Sequence, residues 1–77
     1  MYIYNMKEYT VLLTWDDEAR VWVAENNDIP LIHESGSLDA LMERCRYSAP
    51  ELLAMNGKSV DGATLKFVAE RRAAVIA

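Results

Sequence analysis

Apolar residues recur along this chain with two periods, and the change from one to the other restricts what it can fold into. Tyr9, Val11, Leu13 and Trp15 alternate with Thr10, Leu12 and Thr14, the period of a β-strand. Farther on, Leu38, Leu41, Met42, Cys45, Ala49, Leu52 and Leu53 fall on one face of a helix instead. A chain that carries both patterns has a sheet face and a helix stripe to bury against each other. The sequence predicts an α+β fold of two layers.

Polar clusters divide the rest. Asp16-Asp17-Glu18-Ala19 is a tight reversal, and the β-branched and aromatic run Val21-Trp22-Val23-Ala24-Glu25 after it completes a hairpin. Asn26-Asn27-Asp28 and Pro30 make a second turn, because Asn and Asp tolerate left-handed backbone and Pro cannot donate to a ladder. A third strand is expected near Leu31 to Glu34. Gly36 ends it, Ser37 caps a helix, and Asp39 sits in the first turn where the macrodipole favours an anion. Pro50 interrupts the helical stripe, and a kink or break is expected near Tyr47–Ala49, with Ser48-Ala49-Pro50-Glu51 restarting the helix. Asn56-Gly57 is a left-handed stop.

Ser59 to Gly62 reads as a loop, and Ala63 to Ala69 as a fourth strand in which Leu65, Phe67 and Ala69 alternate with Lys66, Val68 and Glu70. Met1-Tyr2-Ile3-Tyr4-Asn5 is a frayed lead-in. The apolar tail, residues 73–77, either prolongs the last strand or adds to another chain's sheet. The order is therefore β-β-β-α-β in a single domain, residues 1–77 with a core at about 7–70, and one long or kinked helix on one sheet face. A right-handed crossover from the third strand places the fourth beside the first, in spatial order 3-2-1-4. The second face then lies bare. With Tyr9, Val11, Leu13 and Trp15 turned to the helix, Leu12, Trp22 and Ala24 are expected on it. They are the expected protein interface, together with Val75 and Ile76 of the tail.

A chain of 77 residues with 52% apolar residues is too apolar for disorder, yet its core is small, so self-association is expected as a homodimer or larger oligomer. No apolar run nears the ~20 residues of a membrane span, and no signal peptide opens the chain. The single cysteine, Cys45, is consistent with a reducing, cytoplasmic setting. Residues 1–43 hold nine acids against Lys7 and Arg20, whereas residues 44–77 carry a net excess of base. An acidic front half repels phosphate backbones and suits a basic protein partner.

Chemistry-bearing motifs are missing. His33 is the only histidine and has no carboxylate on its own strand face, because Glu34 points the other way. Cys45 lies on the apolar helix stripe and is expected to behave as a small hydrophobe rather than a reactive thiol. Asp16-Asp17-Glu18 lacks the spaced oxygen ligands of a calcium loop. Without a phosphate loop, nucleophile elbow or paired metal ligands, neither catalysis nor a cofactor nor a metal is expected.

An ordered series of short motifs resembles a known family. Tyr9-Thr10-Val11, Trp15-Asp16-Asp17-Glu18, Val21-Trp22-Val23-Ala24, Asp28-Ile29-Pro30 and Glu34-Ser35-Gly36-Ser37-Leu38-Asp39-Ala40-Leu41 are similar to the N-terminal domain of HicB-type antitoxins. Pro50-Glu51-Leu52-Leu53 and Asn56-Gly57 resemble a HicB-related bacterial family of unknown function. The resemblance covers residues 7–70. It implies a truncated ribonuclease H-like fold without nuclease activity, oligomers, and neutralisation of a small basic ribonuclease toxin. Two features depart from the pattern. The family's Pro-Gly-Cys is Pro30-Leu31-Ile32 here, and no DNA-binding segment follows within these 77 residues, so operator binding is not expected.

The leading expectation is a non-enzymatic, self-associating protein-binding domain. A stand-alone regulatory or small-molecule-binding domain is the alternative, its pocket lined by Tyr9, Trp15, Met42 and Tyr47 between sheet and helix. RNA binding through Arg44, Arg46, Lys58, Lys66, Arg71 and Arg72 would require these six on one face.

Overall fold

The computed structural model describes residues 7–76. Strands β1 (Lys7–Asp16), β2 (Val21–Asn26) and β3 (Leu31–Ser35) are followed by one helix, α1 (Leu38–Met55), and by β4 (Ala63–Glu70). They form one sheet in the order β3-β2-β1-β4, antiparallel from β3 to β1 and parallel between β1 and β4. Order, strand directions and layer number match the expectation. The lead-in expected at residues 1–5 and the tail residue Ala77 lie outside the described residues.

Side-chain oxygens build the turns. Asp16 Oδ1 accepts from the N–H groups of Glu18 and Ala19, each at 3.1 Å, and its carbonyl accepts from Arg20 at 2.8 Å. The hairpin is thus closed by four residues, the last of which, Arg20, has φ 60°. Left-handed backbone costs a non-glycine residue roughly 1–2 kcal/mol; here the Arg20 guanidinium meets Asp17 at 2.7 Å and lies 5.2 Å from the Trp15 ring centre. In the second turn Asn26 Oδ1 accepts from Asp28 and Ile29, and Asn26 Nδ2 donates to Thr10 O of β1 at 2.6 Å.

Ser37 caps α1 by accepting from the Ala40 N–H at 3.2 Å. At the other end Lys58 N–H reaches Leu53 O and Gly57 N–H reaches Ala54 O, with Gly57 at φ 68°. This is a Schellman closure, and it needs the left-handed residue that Asn56-Gly57 promised. The expected break near Tyr47–Ala49 does not occur. The helix runs unbroken through Pro50, which is exposed at the rim of the groove between α1 and β4, while Ala49 and Leu53 beside it are buried. Pro50 removes the bond to the Arg46 carbonyl, and burial of the apolar stripe holds the helix together.

Val11, Leu13, Ala24, Leu31, Leu41 and Cys45 form the dry centre between sheet and helix. A helix about 10–12 Å wide spans roughly two strands at 4.8 Å spacing. Accordingly α1 packs on β3 and β2. Leu65 and Phe67 of β4, on the same sheet face, remain half-buried.

Candidate functional site

Strand register decides which side chains share a face. Trp15 lies opposite Trp22 and Leu13 opposite Ala24. Both β2 residues therefore stand on the helix side. Ala24 is fully buried, and Trp22 packs on the core edge-to-face against Trp15, with ring centres 5.5 Å apart. This corrects the expected interface at Trp22 and Ala24: a four-residue hairpin loop pairs odd-numbered with even-numbered residues, so these two join Tyr9, Val11, Leu13 and Trp15. Leu12 does face away from the helix. Val75 and Ile76 are 93% and 96% exposed in a tail that continues past β4 without regular structure.

The uncovered face is built instead from Leu12, Val23, Ile32 and Val68. Leu12 neighbours Val68 and Glu25, and Ile32 extends that row beyond Glu25; Thr14, Val23, Glu34 and Glu70 form the next row. Ile32 is 66% exposed and Val68 36%. Among the strand residues Glu8, Asp16, Glu25, Glu34 and Glu70 stand on this face against one cation, Lys66. A hollow of about 440 Å³ opens on it, floored by Leu12 and Val68 and walled by Glu8, Glu25 and Asp28. Apolar floor and carboxylate walls suit the stem and head of a lysine or arginine. Val23, Ile32 and Val68 escape a reading of the sequence alone; the correct hairpin parity would expose Val23 and Ile32, whereas Val68 is placed by the parallel pairing of β4 with β1.

The alternative pocket is not formed as expected. Tyr9 and Met42 pack into the core, but Tyr47 points to solvent at 80% exposure. A different apolar groove of about 370 Å³ lies between α1 and β4, lined by Ala49, Pro50, Leu53, Val60, Leu65 and Phe67. It exists because α1 covers the other half of the sheet. The six basic residues do not converge either. Lys66 is on the uncovered face, whereas Arg71 stacks 4.0 Å from the Trp15 ring centre on the opposite one. Arg44 donates to Glu34 O at 2.9 Å, and Arg46 pairs with Glu43 at 2.7 Å.

His33 Nε2 is 2.8 Å from Ser48 Oγ, a contact that ties β3 to α1. Cys45 is fully buried, and burial pushes its thiol up against the smaller downward pull of Arg44. As pH climbs through the thiol's ordinary range, the unfolded chain loses this proton first and native stability falls. Cys45→Ala is expected to lose less stability than the wild type between pH 8 and 10, in urea titrations at each pH. Equal losses would place the thiol in water. Alkylation of native Cys45 is expected to proceed no faster than chain opening.

Among the described residues no helix is long and apolar enough to cross a membrane, and no group of three or more His, Cys, Asp and Glu is arranged to hold a metal ion. No curated protein matches the chain. A solved structure, that of a hypothetical protein from the extremely thermophilic bacterium Thermus thermophilus, matches with a TM-score of 0.69 at 32% identity, over 91% of this chain and 99% of that one. The model of a domain-of-unknown-function family, DUF1902, matches residues 8–77, and the chain belongs to that family.

Proposed function

We propose that this domain is a non-enzymatic, HicB-like protein-binding module that self-associates and receives a basic protein on its uncovered sheet face, in the manner of an antitoxin covering a small basic ribonuclease. The observation that carries the reading is that face itself: Leu12, Val23, Ile32 and Val68 interleaved with five strand carboxylates and one ammonium. Apolar contact supplies the affinity, while the carboxylates favour a positively charged partner and raise its rate of encounter. No catalytic role is assigned to any residue. The module acts in the cytoplasm.

A tagged pull-down from the native host, at low and moderate salt, tests it. One small basic protein is expected at a fixed ratio, held less well as salt shortens the ~10 Å screening length of 0.1 M solutions. Glu8→Gln combined with Glu25→Gln is expected to weaken that complex about tenfold, because two hollow walls lose their charge. Recovery of the domain alone, or a complex indifferent to both substitutions, would overturn the basic-partner reading.

A further inference from the structure

The sheet has two edges, and they are blunted to different degrees. β3 is five residues long, follows Pro30, and has its Glu34 carbonyl engaged by Arg44 of the helix. β4 is eight residues long and contains neither proline nor glycine. Among the described residues, side chains bond the backbone of β1, at Lys7 O and Thr10 O, but none reaches the backbone of β4. Next to this edge Leu65 and Phe67 are only half covered, and beyond it residues 73–76 are exposed. Its charges, Lys66 and Glu70, are of opposite sign, so an edge of this length is a template for a strand that pairs them.

We propose that a second copy of this chain occupies that edge, the two β4 strands pairing antiparallel about a two-fold axis at Val68 to join both sheets into one of eight strands. The inference rests on the self-association in the function proposed above and names the surface that produces it. The axis position follows from charge. Centred on Val68, the pairing sets Lys66 of each copy opposite Glu70 of the other, twice, with Val68 against Val68 between them. Centred on Lys66 or Glu70, it sets like charges directly opposite; centred on Ala69, it opposes Lys66 and Arg72. Within one chain Lys66 and Glu70 border Thr10 and Thr14 of β1, and the ion pairs among the described residues, Arg20–Asp17 and Arg46–Glu43, leave both of them out.

The same register packs the helix-side face. Phe67 of one copy meets Ala69 of the other, a large residue against a small one, at the half-covered end of each sheet. Continued along the tail, it sets Ala73 beside Ala63 and carries the exposed Val75 and Ile76 past the start of the partner's β4. On the uncovered face the Leu12–Val68 rows of the two copies become continuous, so both acidic hollows open on the same side of the assembly.

Charge reversal tests the register by sedimentation equilibrium, with circular dichroism to verify folding. The wild-type chain is expected to be a dimer. Lys66→Glu and Glu70→Lys, each at an exposed position, are each expected to weaken it by at least about tenfold, since each creates two like-charge cross-strand pairs. The double variant, Lys66→Glu with Glu70→Lys, is expected to restore it. A monomeric wild type at all concentrations would overturn both this pairing and self-association. A wild-type dimer that tolerates either single reversal, or a double variant that stays dissociated, would overturn the pairing and leave self-association standing.

Discussion

Ala24→Glu is expected to abolish folding, while Val23→Lys, one residue earlier on the same strand, leaves the fold intact. Ala24 is fully buried, opposite Leu13 on one side and His33 on the other, under the helix. A glutamate there has no cation within its layer and too little space, and an unpaired buried charge costs more than about 4 kcal/mol. A chain of 77 residues has roughly 4–12 kcal/mol to lose. Val23 is half-buried on the uncovered face, where a lysine would meet Glu34 directly across the strand pair. That change is expected to cost within about 1 kcal/mol, with the cross-strand charge pair offsetting part of the lost apolar contact. Circular dichroism and thermal melts of both variants give the answer. A folded Ala24→Glu beside an unfolded Val23→Lys would mean that the helix lies on the other face.

That contrast turns on one residue of loop length. Alternation along β1 is legible because four inward residues, Tyr9 to Trp15, are all large and apolar. Along β2 every residue from Val21 to Ala24 is apolar, so periodicity alone does not say which side faces in. The deciding information is the hairpin parity, set by Asp16 gathering the N–H groups of Glu18 and Ala19 and by Arg20 turning left-handed. Aspartate two and three residues ahead of an N–H is a legible turn signal, but a left-handed arginine is not one. The helix limits at Ser37 and Asn56-Gly57 are legible for the opposite reason, since each rests on side-chain chemistry local to the cap. Its continuity through Pro50 is not, because propensity argues for a break, and only the burial of Ala49 and Leu53 beside it overrides that.

The candidate surface is legible as a kind of feature rather than as a set of residues. One helix against four strands must leave apolar surface uncovered, and the acidic front half is visible by counting. Leu12 falls where the alternation of β1 puts it. Val23 and Ile32 are hidden by the hairpin parity, and Val68 by its place in a strand whose partner is 56 residues away in sequence. The unequal protection of the two sheet edges is also non-local. It needs strand order, and it needs Arg44 folded back onto β3.

Leu41→Ala is expected to destabilise the domain more than Leu53→Ala, although both side chains sit on the same helix stripe and are almost wholly buried, at 0% and 2% exposure. The two substitutions remove the same atoms and differ in what surrounds the space left behind. Leu41 lies where α1 is pressed on the sheet, so its removal leaves a closed void whose lining loses contacts outright. Leu53 already borders the groove between α1 and β4. There the new space joins an existing hollow, water can enter, and Leu65 and Phe67, which are half-buried, can shift toward it. Costs near the upper end of the 2–5 kcal/mol range for Leu→Ala, about 4 kcal/mol, are expected at Leu41, and about 2–3 kcal/mol at Leu53. Urea midpoints followed by Trp15 and Trp22 fluorescence, at one protein concentration so that association contributes equally, give both values. Equal losses would mean that the groove is filled in solution, by the partner tail or by a neighbouring side chain. A larger loss at Leu53 would mean that the helix is centred over β4 rather than over β2 and β3.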